Sequence, residues 1–227
     1  MKNTNLSNQE RTSTTAESGF SLIELIITLT ITLTVLGLAF TLLAQALNTN
    51  VREDRQASVL SDSNQGLGRM AEELANAGFG LSTNGIVAAD SNEDQIRIRA
   101  NLNSLMKQTT SNSVSDRGED VEFMLATNAA GETYLVREDI ALGTTSILAS
   151  SVDNTDIDGD GEGDGLNFVY LDSTSAVVDP DQADRVNVTL RLRLPQVGVP
   201  GAVGYRPGVT KALTENIVIR NASLAAY

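Results

Sequence analysis

The densest chemistry in this 227-residue sequence lies in its carboxylates, in the run Asp156-Ile157-Asp158-Gly159-Asp160-Gly161-Glu162-Gly163-Asp164. Acids at alternate positions, with glycines between them, let a tightly curved backbone gather several oxygens at one point. Hard cations such as calcium take roughly six to eight oxygen ligands at about 2.3–2.6 Å. Asp156, Asp158, Asp160, Glu162 and Asp164 are therefore candidate metal ligands, with Ca2+ the expected ion. The same acids serve equally as a solvated insertion that keeps the surface soluble. A second carboxylate stands alone. Glu24 lies at the start of a long apolar stretch, where an ionisable group costs about 2.5–3.5 kcal/mol at the centre of a bilayer and is normally retained for a purpose. Either it seeks a cationic partner or it reaches the headgroup layer.

Aligned to the EF-hand calcium loop, Asp156, Asp158 and Asp160 take the first three ligand positions, Gly161 the sharp turn and Asp164 the ninth. The twelfth position is Asn167 instead of the bidentate Glu. Other chemistry is narrowed by what is missing. The chain has no His and no Cys, which removes the commonest general base, Ser-His-Asp arrangements and thiolate sites. Asp94, Glu119, Asp120, Glu138 and Asp139 are residues a carboxylate enzyme would use, yet each also fits a strand end or a loop facing water. There is no phosphate-cradling loop and no Gly-x-Ser-x-Gly elbow, so no enzymatic activity is expected. The formal net charge of -13 repels phosphate backbones, and nucleic acid is not an expected partner.

These residues must be positioned by the elements around them. Residues 25–51 carry no charged side chain, and about 20 helical residues cross the hydrocarbon layer of a bilayer. Ile27 to Thr34 alternates apolar and polar as a strand would, but the apolar run continues through Val35-Leu36-Gly37-Leu38-Ala39-Phe40 without alternation. An isolated strand in lipid leaves its backbone unsatisfied, whereas a helix does not, and Thr hydroxyls bond back to the preceding turn. The segment is longer than the core of a secretory signal and lacks a small-residue cleavage site behind it.

In front of it stands Ser18-Gly19-Phe20-Ser21-Leu22-Ile23-Glu24-Leu25. This resembles the type IV prepilin signature. The resemblance implies that residues 1–19 are a leader, that a prepilin peptidase cuts between Gly19 and Phe20, and that Phe20 is then N-methylated. It also implies that Glu24 pairs with the Phe20 amine of a neighbouring subunit and sets the register of a filament. The leader departs from the usual basic pattern, since Lys2 and Arg11 are matched by Glu10 and Glu17.

Beyond a membrane half at 20–47, an amphipathic half is expected over 48–80. Leu47, Val51, Leu60, Leu67, Met70, Leu74 and Ala77 share one helical face, opposite Arg52, Glu53, Asp54, Arg55, Asp62, Glu72 and Glu73. Gly66 and Gly68 are expected to fray or kink it, and Gly78 or Gly80 to end it.

Residues 81–227 then form a head of short strands, with the acidic loop at 153–165. Strands are expected at Ile96–Ala100, Val121–Thr127, Thr133–Glu138, Leu166–Leu171, Val186–Leu194 and Asn216–Arg220, the second and third joined as a hairpin. Leu81–Asp94 is too mixed to assign, and Gln196–Lys211 is expected as an irregular surface loop.

A helical run followed by a strand run gives an α+β fold, a long N-terminal helix packed on an antiparallel sheet. The order of Ala75-Asn76-Ala77-Gly78-Phe79-Gly80, Leu166–Tyr170, Val186–Arg193 and Ile217–Asn221 resembles PilW-type minor pilins, and part of it GspJ-type pseudopilins. The implied function is that of a minor pilin in type IV pilus assembly or priming. Its partners would be the peptidase, other pilins or pseudopilins, an inner-membrane assembly platform and the lipid bilayer. The implied location is a single pass of the inner membrane with the head outside the cytoplasm, then the filament. The alternatives are a type II secretion pseudopilin and a membrane-anchored calcium-dependent adhesin that does not polymerise.

Overall fold

The computed structural model describes residues 19–102, 114–197, 200–201 and 205–222. Of the expected leader, residues 1–18 lie outside the described residues. The chain divides into two compact units, residues 1–46 and 47–227, and α1 (Leu22–Ala75) contributes to both.

In the first unit α1 is apolar on all sides and its side chains are exposed. Phe20 is 82% exposed and every large apolar side chain from Leu22 to Leu43 is largely open. The hydroxyls of Thr28, Thr30, Thr32, Thr34 and Thr41 each donate to the carbonyl four residues earlier, at 2.5–2.9 Å. A polar alternation in the sequence thus becomes a helix whose hydroxyls are internally satisfied. This helix is long and apolar enough to cross a membrane.

In the second unit the amphipathic part of α1 buries Ser63, Leu67, Met70 and Leu74, at the three- and four-residue spacing of one helix face. Each large apolar side chain removed from water contributes about 1.5–3 kcal/mol. Contrary to expectation, Gly66 and Gly68 do not fray the helix, which runs unbroken to Ala75. At Gly66 the reason is packing: a Cβ there would stand 2.3 Å from the Leu148 carbonyl oxygen, so only glycine lets strand and helix approach this closely.

The helix stops where glycine predicted. Asn76 and Ala77 tighten into three-residue bonds, Gly78 adopts φ +75, and its N–H donates to the Arg99 carbonyl at 2.9 Å.

The sheet is antiparallel throughout. Its strands are β1 (Ile96–Arg99), β2 (Asp120–Thr127), β3 (Thr133–Asp139), β4 (Thr144–Val152), β5 (Leu166–Leu171), β6 (Arg185–Leu194) and β7 (Val209–Val218). The order is β1-β2-β3-β4-β6-β5, with β7 on the other side of β6. Thus, among the described residues, the fold is α+β with one long α-helix, two short 3-10 helices and one antiparallel sheet. Inward residues of the strands, among them Ile96, Phe123, Leu135, Val188, Leu190 and Leu192, close over the helix face in one core.

Two expectations fail here. β4 was not anticipated. Its register to β3 shifts twice, between Thr133 and Leu135 and again between Leu135 and Val136, so extra residues break the period of two that marks a strand. β7 starts at Val209, inside the segment expected to be a loop, and ends at Val218, before Arg220.

Candidate functional site

Two places on the chain hold the residues singled out above, one in each unit. At the N-terminus, Gly19, Phe20 and Ser21 precede the helix in a non-helical conformation and both Gly19 and Phe20 are exposed. The Gly19–Phe20 peptide bond therefore sits outside the α1 ladder, whose first bond runs from the Leu25 N–H to the Ser21 carbonyl at 3.1 Å. Glu24 is the acid in the first turn of α1. Negative charge is favoured there because the unpaired N–H groups of a helix start carry partial positive charge. A local role at the helix end thus accompanies whatever longer-range role the carboxylate has.

The acidic loop joins β4 to β5. Its base is clamped by Asp153, which is 7% exposed. That carboxylate accepts hydrogen bonds from the Thr155 hydroxyl at 2.7 Å, from Arg193 at 2.8 Å and from the Thr210 hydroxyl. Burial raises the Asp153 carboxyl, but these hydrogen bonds and the Arg193 charge outweigh it and hold the group below its ordinary value. Asn154 closes the base by accepting the Gly165 N–H at 3.0 Å.

Within the loop the carboxylates fold the backbone around themselves. Asp156 accepts the N–H groups of Gly159 at 2.7 Å and Gly161 at 3.0 Å, while Asp164 accepts that of Ile157 at 2.6 Å. Gly159 and Gly161 have φ of +83 and +95, a backbone that residues with a Cβ rarely adopt.

The result divides the five predicted ligands. Asp156, Asp158 and Asp164 bring carboxylate oxygens within 4.8 Å of one another, matching the first, third and ninth positions of the calcium pattern. Asp160 and Glu162 gather instead with Glu93, again within 4.8 Å. The five carboxylates thus fall into two groups of three among the described residues, the second completed by Glu93. Asp160 accepts the Glu162 N–H at 2.8 Å. Asn167, the twelfth position, is already inside β5 opposite Thr189.

Glu93 was missed because it lies far away in sequence. It belongs to a turn in which Asn92 accepts the N–H groups of Asp94 and Gln95 at 2.8 and 2.9 Å. That turn docks on β5: the Phe168 N–H donates to the Glu93 carbonyl at 2.7 Å, and the Tyr170 hydroxyl to the Asn92 carbonyl at 2.8 Å. Burial pushes the Tyr170 phenol above its ordinary range.

Asp94 follows Glu93 into the same acidic surroundings. Burial raises its carboxyl most, and the charges of Glu93, Asp160 and Asp164 add to that, against a hydrogen bond with Glu162. Glu162 is raised in turn, first by the Asp94 charge. The two carboxyls form a pair that favours sharing a proton.

Of the other carboxylates considered for catalysis, Asp120, Asp139 and Glu119 are hydrogen-bonded within the fold. Asp120 accepts from Arg97 at 2.7 and 2.8 Å and from Arg99 at 3.0 Å. Asp139 accepts the Gly118 N–H at 2.8 Å, and Glu119 that of Asp116 at 3.1 Å. Glu138 stands opposite Glu122 and Thr145 within the sheet. No family model, curated protein or solved structure matches this chain.

Proposed function

We propose that this chain is a minor-pilin-like structural subunit of a type IV pilus, and not an enzyme. A prepilin peptidase would release it from its leader between Gly19 and Phe20, and other pilins would receive it through its N-terminal helix. The observation that carries this reading is local. An exposed, non-helical Gly19–Phe20 bond stands directly before a membrane-length helix whose first turn holds Glu24. On this reading the α+β head is a pilin fold. The helix anchors the chain in the inner membrane, with the head outside the cytoplasm, until an assembly platform moves it into the filament.

In the filament Glu24 would meet the amine of Phe20 on a neighbouring subunit, where low dielectric strengthens the attraction. A pseudopilin of a type II secretion system would share every one of these steps. It differs in consequence, since its deletion stops protein export and leaves surface fibres intact.

The test is the mature N-terminus of the protein from native membranes, with and without the peptidase. A peptidase-dependent start at Phe20 carrying a methyl group is expected, and Glu24→Ala should leave cleavage intact while the subunit drops out of the filament. A retained leader, or filaments indifferent to Glu24→Ala, would sink the reading in favour of a non-polymerising anchored adhesin.

The convergence of Asp156, Asp158 and Asp164 favours one added property, calcium binding in the weak range of about 10⁻⁴–10⁻³ M found for extracellular modules. Titration calorimetry with Ca2+ on the full chain in micelles should show one binding event that Asp156→Asn removes. Unchanged heats in that variant would dismiss the site.

A further inference from the structure

Among the described residues the edges of the sheet are covered with one long exception. β1 is flanked by residues 85–87, through the bonds from the Arg99 N–H to the Gly85 carbonyl and from the Val87 N–H to the Arg97 carbonyl. The far edge of β5 is met by Glu93 and Val178. β4 is open beyond its one pair with β6 at Val152, but its two register shifts twist an edge away from pairing. Among the described residues β7 has neither a covering segment nor a register shift. It lies against β6 in ten consecutive register pairs from Val209 to Val218 without a shift, contains no proline, and is exposed at eight of its ten positions.

Which groups it presents follows from β6. The Arg191 N–H donates to Gly165, and its carbonyl accepts from Asp153, so Arg191 points toward the β4 and β5 side. In an antiparallel ladder orientation alternates, and so Leu190 and Leu192 point at β7, where they face Leu213 and Lys211. Ala212, Thr214 and their alternates, Thr210 and Asn216, therefore direct N–H and C=O groups away from the sheet. Among the described residues no strand pairs with that side of β7.

We propose that this edge pairs with the same edge of a second copy, antiparallel, about a two-fold axis at Leu213. The sequence Val209-Thr-Lys-Ala-Leu-Thr-Glu-Asn-Ile-Val218 is complementary to itself in that register. Lys211 of each copy stands opposite Glu215 of the other, Thr210 opposite Asn216, Ala212 opposite Thr214, and Leu213 opposite itself. The outward-pointing residues pair with one another, as the hydrogen bonds require. Lys211 and Glu215 make no ion pair within their own chain among the described residues and are exposed. Lysine on an edge usually deters pairing; here the glutamate two places beyond the axis turns it into a cross-strand partner. The strand is also electrically neutral in a chain of net charge -13, so two copies approach along a strip where repulsion is least. Because the contact is isologous, it closes at two copies. It does not depend on the pilin reading.

The chain's lack of cysteine makes the test direct. Opposed residues in an antiparallel pair have Cα atoms about 4.5–5.5 Å apart, within disulfide range. Full-length Leu213→Cys in detergent micelles should form a covalent dimer on mild oxidation. Thr210→Cys and Asn216→Cys should do so at least tenfold less when alone, and should link when mixed with each other. Lys211→Glu added to Leu213→Cys should suppress the dimer at least tenfold, and adding Glu215→Lys as well should restore it. Circular dichroism unchanged from the parent chain would show that the variants fold. Equal linking at all three positions would mean collision or pairing through the anchors. A monomeric Leu213→Cys, whether open to maleimide or shielded by the chain's own terminal segment, would equally overturn the proposal.

Discussion

Gly66 and Gly68 are two positions apart on one helix, and alanine should act on them with opposite sign. Helix propensity favours alanine over glycine by about 1 kcal/mol at either site. At Gly68 an added Cβ meets nothing within 4 Å, so Gly68→Ala should keep most of that gain. At Gly66 the same atom would lie 2.3 Å from the Leu148 carbonyl oxygen, 2.8 Å from its carbonyl carbon and 3.1 Å from its Cβ. Two of the three are backbone atoms of a strand held by its ladder, and they cannot swing aside. Overpacking costs about 1–3 kcal/mol, and contact this short with strand backbone belongs at the upper end, about 2–3 kcal/mol, so against the propensity gain of about 1 kcal/mol Gly66→Ala should lose about 1–2 kcal/mol net. For a chain of this size 1 kcal/mol moves Tm by about 2–4 °C. Thermal unfolding of the full chain in micelles, followed by the sheet signal in circular dichroism, should place Gly66→Ala roughly 2–8 °C below the parent and Gly68→Ala about 2–4 °C above it. A Gly66→Ala variant as stable as the parent would refute the claim that α1 and β4 are held at glycine distance.

Other consequences are simpler to state. Glu73 accepts two bonds from the Arg137 Nε, at 2.8 and 3.0 Å, and Arg137 is nearly buried. Glu73→Gln should cost about 2–3 kcal/mol in urea unfolding, somewhat less than a fully buried pair, whereas Arg69→Ala, at the exposed end of the same cluster, should cost under about 0.5 kcal/mol. The pH dependence runs in two directions. Raised carboxyls at Asp94 and Glu162 bind protons more tightly folded than unfolded, so their contact is most favourable at low pH and weakens as pH rises through the folded values. Asp94→Asn should thus match the parent near pH 4 and melt higher than it at pH 7 in calcium-free buffer. Asp120 behaves oppositely: burial raises it, but Arg97 and Arg99 bring it below its ordinary value, so its stabilisation is present at neutral pH and disappears as acid protonates it. Asp120→Asn should therefore flatten the acid limb of the Tm profile.

Much of this fold was legible because each signal was local. The spacing of Leu67, Met70 and Leu74 gave the buried face of α1, Gly78 gave its end, and the alternation in Val186–Leu194 gave β6. β4 escaped because Ile147 and Leu148 are adjacent and two extra residues follow the shifts in register, so no period of two survives. The start of β7 was hidden by the glycines and prolines just before it. Gly66 looked like a weakness, and only the strand across from it shows what it is for. At the acidic loop, the alternation of acids was plain, but the direction in which each carboxylate turns depends on which backbone N–H it captures. Glu93 could not be found at all, since its neighbourhood with Asp160 and Glu162 exists only once its turn docks on β5.

The way α1 is fastened inside its second unit also has a mechanical meaning. Between residues 66 and 77 the helix and the turn that ends it are gripped at Gly66 by Leu148, at Glu73 by Arg137, at Ala75 by the Arg220 N–H and at Ala77 by the Asn221 side chain. Tension arriving along a helix held at one point would peel it from the sheet, contact by contact. Here four grips along about three turns, two on the neighbouring strands β3 and β4 and two on the turn that follows β7, take the load together, so rupture requires them to fail as a group. A head fastened in this way resists a steady pull far better than its modest aliphatic core alone would suggest.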